Sequence, residues 1–278
     1  VSLTFGQKLH AAVSARGPLC AGIDPHPGLL AAWGLAADVA GLERFARTTV
    51  EALADRVAVL KPQSAFFEAY GSRGVAVLER VIADSREAGA LVLVDAKRGD
   101  IGSTMAAYAA AYLTEGSPLA GDAVTVSPYL GFGSLDPALR AAEENGRGIF
   151  VLALTSNPEA RTVQSAVGED GKTISQAMVD AVAEVNSGAA PLGSAGVVIG
   201  ATVGRHGLEL SQLNGPILAP GYGAQGAGPA ELKAVFGDAL PLVLPTSSRD
   251  ILKHGPDVGA LREAAARTLA EVAELSSV

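Results

Sequence analysis

Ala90-Leu-Val-Leu-Val-Asp-Ala-Lys-Arg-Gly-Asp-Ile-Gly-Ser-Thr104 changes character partway along. Its first six residues, Ala90 to Asp95, are an aliphatic and β-branched run too short for a helix, which predicts a buried strand. Charge then arrives at once, as Asp95, Lys97, Arg98 and Asp100. Strand side chains alternate with period two, so Asp95 and Lys97 are expected on one face. Gly99 permits a sharp turn that returns Asp100 towards the same lysine. Thr104 follows four residues later, on the same side of a predicted helix. The chain holds six Lys and thirteen Asp, so Asp-x-Lys-x-x-Asp arises by chance in about one such chain in a hundred. The plain alternative is a solvated ion-pair cluster capping a strand, and such clusters contribute little to stability. A lysine held between two acids at a strand's carboxyl end is a poor surface design and a good reaction centre.

Outward from this stretch the same form repeats: a short apolar strand, a polar end, then a helical pattern. The strands are predicted at 19–25, 57–62, 90–95, 123–128, 148–158, 196–202, from Pro216 into a glycine-dense loop, and at 240–249. Helices are predicted between them at 42–56, 75–88, onwards from the third strand to Leu113, at 136–145, 175–186, 208–213 and 229–236, with a closing helix at 258–275. An extra amphipathic helix, 4–15, opens the chain and is expected to pack outside the main body. Residues 159–172 form a polar loop of the length at which loops become lids. The strands are continuously apolar, as when both faces are covered. Strict alternation through eight repeats points to one closed (β/α)8 TIM barrel over residues 1–278. An open doubly wound sheet would need a Gly-x-Gly-x-x-Gly turn after the first strand, and Asp24-Pro-His-Pro-Gly28 is not one.

The composition is compatible with that size of core. Apolar residues make up 49% of the 278 and aromatics only 5%, so the interior must be built from Ala, Val and Leu. A formal net charge of −8 disfavours nonspecific binding to nucleic acid or anionic membranes. Any anionic ligand must then be caught by a local cluster of donors. The single Cys20 has no partner for an intrachain disulfide and reads as a small buried hydrophobe, which fits a reducing cytoplasm. No signal-peptide core opens the chain and no 18-residue uncharged apolar run occurs, so a soluble cytoplasmic protein is expected.

In such a barrel the strands' carboxyl ends share one rim, where active sites lie. That rim would receive Asp24, Lys61, Asp95, Lys97, Ser127, Ser156, Thr202, Gln225 and Arg249; Ser127 and Thr202 read as satisfied strand termini. Gly221-Tyr-Gly-Ala-Gln-Gly-Ala-Gly228 lets backbone N–H groups approach a ligand closely, with Gly221, Gly223 and Gly226 as the phosphate loop. Arg249, after the eighth strand, can fork onto phosphate oxygens.

Together these segments resemble the orotidine 5′-phosphate decarboxylase family, in its longer, actinobacterial-like branch. The likeness runs through nearly the whole chain: Asp24, Val-Leu-Lys61-Pro, Asp95-Ala-Lys97-Arg-Gly-Asp100-Ile-Gly-Ser-Thr104, Thr-Ser156-Asn-Pro, Ala-Pro-Gly-Tyr-Gly-Ala-Gln225-Gly and Arg249. The Ser-Ser-Arg249 ending lacks the Gly that often precedes this Arg in the family. The resemblance implies conversion of orotidine 5′-phosphate to UMP, the last step of de novo pyrimidine nucleotide synthesis, without metal or organic cofactor. It also implies a homodimer in which Asp100 and Thr104 reach into the partner's site. Lys97 would donate the proton to C6, with Asp95 beside the leaving carboxylate and Lys61 and Asp100 positioning them. Ser156 and Gln225 would hydrogen-bond the pyrimidine, Asp24 and Thr104 the ribose. Other readings of the barrel are a Mg2+-dependent keto-gulonate-phosphate decarboxylase or hexulose-phosphate synthase, a Schiff-base aldolase using Lys97, and a non-catalytic phosphosugar binder. The Mg2+-dependent pair carry an acid where this chain has Lys61, and a pure binder has no need of a lysine flanked by acids.

Overall fold

Apolar strands need cover on both faces, and here they find it by closing on themselves inside a ring of helices. The structure, a computed structural model, describes residues 2–273. Its strands are β1 (Cys20–Ile23), β2 (Val59–Pro62), β3 (Leu91–Arg98), β4 (Ala123–Val126), β5 (Gly148–Leu154), β6 (Ala195–Ile199), β7 (Ile217–Pro220) and β8 (Val243–Ser247). Each pairs in parallel with its sequence neighbours, and β1 closes on β8 with Cys20 beside Thr246. The predicted (β/α)8 barrel is the fold.

Helix α1 (Phe5–Arg16) precedes the barrel; α2 (Pro27–Ala32) and α3 (Val39–Leu53) follow β1, and α4 (Ser64–Glu68) and α5 (Gly71–Glu87) follow β2. Next come α6 (Gly102–Leu113) after β3, α7 (Asp136–Glu144) after β4, and α8 (Arg161–Gln164) with α9 (Ile174–Val185) after β5. Helix α10 (Pro229–Phe236) follows β7, while α11 (Arg249–Leu252) and α12 (Val258–Ala273) follow β8. The predicted end of the closing helix, at Leu275, lies outside the described residues.

Four expectations change. The 208–213 helix is absent: the side-chain amide of Gln176 takes both the N–H and the carbonyl of Glu209, so that backbone is satisfied without a helical turn. Leu210 and Leu213 are still buried, which is the spacing that mimicked a helix. The eighth strand begins at Val243, because Gly237–Leu242 is a 3-10 turn carrying Pro241. Within the predicted lid loop, residues 159–164 are helical rather than irregular.

The largest change concerns α1. It starts at a capping box, Thr4 accepting from the Gln7 N–H while the Gln7 side chain accepts from that of Thr4. Rather than lying outside, its Phe5, Leu9 and Ala12 join a core cluster with Cys20, Val59, Leu93, Ala123, Phe150, Val198, Leu218 and Leu244. Those last eight are one residue from each strand, so they form a layer across the barrel interior and α1 stoppers its amino-terminal mouth. Phe5 meets Phe150 edge-on, with ring centroids 6.0 Å apart. Two residues further along each strand, at the next inward position, stand Lys61, Asp95, Thr125 and Thr246 among others: the interior turns from apolar to charged in one pleat.

Phe5→Ala should therefore lower unfolding free energy by about 3–5 kcal/mol, as for a buried aromatic in any core. Leu3→Ala, at a residue 56% exposed, should stay within about 0.5 kcal/mol. Urea titrations of the two variants make the comparison, and equal midpoints would return α1 to the outside of the barrel.

Candidate active site

The charged layer lines a cavity of about 400 Å3 at the strands' carboxyl ends. At its base Lys61, on β2, is buried, and its ammonium donates to Asp95 Oδ2 at 3.0 Å. The same ammonium lies 4.0 Å from Asp24 Oδ1. The other oxygen of Asp95 accepts from Lys97 Nζ at 2.6 Å and from the Thr125 hydroxyl at 2.8 Å. Charges thus alternate along the array Asp24, Lys61, Asp95, Lys97.

Burial by itself would raise the Asp95 carboxyl, but the ammonium groups of Lys61 and Lys97 and the two hydrogen bonds outweigh it and hold Asp95 well below the usual carboxylate range. Burial would likewise lower Lys61, yet Asp95 and Asp24 overcome it and hold Lys61 above the ordinary lysine value. Cys20, one layer below, is pushed up by burial to about 12 and stays a neutral thiol.

Lys97 reaches Asp95 by a route that strand alternation alone does not give. Val94 pairs with Val124, but the next pairing is Arg98 with Val126, so β3 bulges between them. Lys97 sits in the bulge at φ 48°, a left-handed conformation uncommon for a side-chain-bearing residue. Its N–H, lost to the ladder, donates to Thr125 Oγ1 at 2.9 Å. Arg98 fastens the next position, donating to the Ala96 carbonyl at 3.1 Å, to the Tyr112 hydroxyl at 3.0 Å and to the Glu68 carboxylate, which ties α6 and α4 to the turn. Gly99 is required for space rather than for a turn: a Cβ there would stand 2.3 Å from the Ser127 carbonyl oxygen.

Of the other residues singled out from sequence, Asp24, Ser156, Gly221, Gln225 and Arg249 line the cavity with Lys61, Asp95 and Lys97. Asp100 does not turn back onto Lys97: its carboxylate accepts from the Ile101 N–H, and no ion pair joins the two among the described residues. Thr104 is exposed on α6. The N–H groups of Gly223 and Gly226 go to Ala227 and Gly223 carbonyls, so these glycines shape their own loop. Gly223 also lets Asp250 approach, since a Cβ would meet that carboxylate at 2.0 Å. Thr125 was missed from sequence, although a lone hydroxyl inside the Ala-Val-Thr-Val strand was the available signal. His26, packed at a tilt against Phe66 with ring centroids 4.3 Å apart, and Gln63 also line the cavity without having been singled out. No group of three His, Cys, Asp or Glu side chains is placed to hold a metal among the described residues.

Residues 18–264 match the family described as orotidine 5′-phosphate decarboxylase / HUMPS. The chain belongs to that family. Orotidine 5′-phosphate decarboxylases of Salinispora tropica and Streptomyces coelicolor are 64% and 62% identical to it, each over 96% of both chains. A crystal structure from Streptomyces avermitilis superposes with a TM-score of 0.97 at 60% identity, covering 100% of this chain and 97% of that one. The Leishmania donovani OMP decarboxylase structure gives 0.78 at 27% identity, covering 99% and 100%. Lys61 at the end of β2, paired to Asp95, agrees with the decarboxylase side of the family rather than with the Mg2+-dependent side, where an acid is expected at that position.

The pKa directions fix a pH signature. Because the folded value of Asp95 is depressed, its contribution to stability is present above the unfolded value of about 3.9 and is lost as pH falls below it. Lys61 is raised, so its contribution is complete below about 10.4 and is lost as pH climbs past it. Urea midpoints measured at pH 6 and pH 3 should fall more steeply for the wild type than for Asp95→Asn. Parallel falls would mean that Asp95 is not held ionised by the two lysines.

Proposed function

We propose that Lys97 is the proton donor in the decarboxylation of orotidine 5′-phosphate to UMP. The reaction, that of a carboxy-lyase in pyrimidine nucleotide synthesis, follows from family membership and from identity above 60% to named decarboxylases over nearly the whole chain. The observation carrying the residue assignment is the alternating array inside the barrel mouth, with Lys97 as its outermost member, 45% exposed on its side chain.

The C6–carboxylate bond breaks with its electron pair left on C6, where no adjacent orbital delocalises it. The Lys97 ammonium stabilises that developing charge and then transfers its proton to C6, ending as a neutral amine that solvent reprotonates. Asp95 faces the departing carboxylate, and because it is held ionised it repels that group until CO2 leaves. Lys61 balances Asp95 and fixes it between two cations. Asp24 borders the cavity, where its carboxylate can accept from a ribose hydroxyl. Ser156 and Gln225 sit at the rim to hydrogen-bond the pyrimidine, while Arg249, with the loop from Gly221 past Gly223 and Gly226, takes the phosphate.

Asp100 and Thr104 complete the site from a second subunit. In support, neither reaches the cavity of its own chain, and large apolar side chains stand exposed next to Asp100 and in the loop after β4: Ile101, Tyr129 and Leu130 are 61%, 76% and 53% exposed. Ala106, Ala107 and Ala110 are exposed on α6, the helix that carries Thr104. A cytoplasmic location fits the one buried free thiol and the lack of any described helix long and apolar enough to cross a membrane.

Lys97→Ala should lower kcat by on the order of 10³-fold or more while leaving UMP affinity largely intact, because Lys97 acts on charge present only in the transition state. Retention of a tenth of wild-type kcat would remove it as the acid.

Subunit mixing tests the shared site. A Lys97→Ala chain still lends Asp100 to an Asp100→Ala partner whose Lys97 is intact, so each heterodimer has one whole site. Random exchange makes half the dimers hybrid, and activity should recover to about a quarter of wild type per site. With exchange shown by native mass spectrometry of tagged chains, an absence of recovery would place Asp100 outside the partner's site.

A further inference from the structure

A second cavity, of about 520 Å3, opens between the loops after β5 and β6. It shares only Thr155 and Ser156 with the first, and neither Gln225 nor Arg249 borders it. In a chain of net charge −8, no Asp or Glu side chain lines this space, while Arg161 and Arg205 both do. Among the described residues neither guanidinium has an ion pair or hydrogen bond, whereas Arg47, Arg80, Arg98 and Arg147 each find a carboxylate. His206 also borders it, but burial pushes its imidazole below the ordinary histidine value, so the positive charge comes from the two arginines. Hydroxyls of Ser156, Ser165 and Thr202 ring the remainder.

We infer that this cleft is a second anion site, distinct from the nucleotide's phosphate position, built to take a phosphate group between Arg161 and Arg205. Guanidinium forks match phosphate oxygens, and hydroxyls complete such a cradle. The volume exceeds that of a bare phosphate and fits a small phosphate ester. The two arginines come from different elements, Arg161 from α8 in the lid segment and Arg205 from the loop after β6. The lid wall is already fastened at its foot: Gln164 Oε1 accepts from the Thr155 N–H at 2.8 Å, and the Ser175 hydroxyl donates to the Gln164 carbonyl at 2.9 Å. A bound phosphate would brace the free edge of the lid against the β6 loop, across a wall that carries Ser156.

The test is calorimetric, at fixed ionic strength, on protein saturated with UMP so that the first cavity is filled. Inorganic phosphate and ribose 5-phosphate are titrated separately, into wild type, Arg161→Gln, Arg205→Gln and Arg249→Gln. All three arginines are exposed, so the fold should survive, and unchanged melting temperatures verify it. The expected result is a single site whose affinity falls about tenfold in Arg161→Gln and in Arg205→Gln and is unaltered in Arg249→Gln. Equal affinity for the two probes identifies the free ion as the ligand, and tighter binding of the sugar phosphate identifies an ester. An absence of heat in the UMP-saturated protein would overturn the proposal. So would binding untouched by both Arg161→Gln and Arg205→Gln, or binding lost only in Arg249→Gln.

Discussion

A carboxylate taken out of water inside a barrel must be compensated, and Asp95 is compensated twice. Lys61 meets one oxygen at 3.0 Å and Lys97 the other at 2.6 Å. Removing either lysine leaves buried charge unmatched, which is costlier than the pair is worth. The rest of the mouth is arranged to keep both in reach. The β3 bulge aims Lys97 inward, Thr125 satisfies the N–H that the bulge frees, and Arg98 ties the following turn to two helices.

The same barrel interior holds a dry layer and a charged layer one pleat apart. Cys20, Val59, Leu93 and their counterparts bury apolar surface at about 25 cal/mol per Å2. Their neighbours two residues on are Lys61, Asp95 and Thr125, which hydrogen-bond to one another. The apolar floor makes the charges above it interact strongly, because field lines there are little screened.

Most of this was legible in the sequence because period-two alternation decides which residues point inward. Asp24, Lys61 and Asp95 could be placed on one rim from strand ends alone. Three kinds of feature escaped. The bulge depends on pairing between strands, which a single strand's residues do not encode, so Lys97 reached the right place for a reason other than alternation. The position of α1 depends on what covers its apolar stripe, and the stripe itself says only that something does. Leu208, Leu210 and Leu213 showed a helix-like spacing, but the Gln176 amide had already claimed the backbone of Glu209. Asp100 and Thr104 are a fourth case, since their sequence signature sits beside Lys97 while their side chains in a single chain face elsewhere.

With α1 seated across the amino-terminal mouth, the barrel is a vessel with one opening. Phe5 and Leu9 pack hydrocarbon against the apolar layer that closes the far end beneath the charged layer. The nucleotide must depart by the door through which it came, and nothing can be flushed through from below. Traffic is then strictly ordered: a fresh substrate cannot enter until the previous nucleotide has gone. The loops at that single door therefore stand as gatekeepers of turnover, whatever the speed of the bond-breaking step inside.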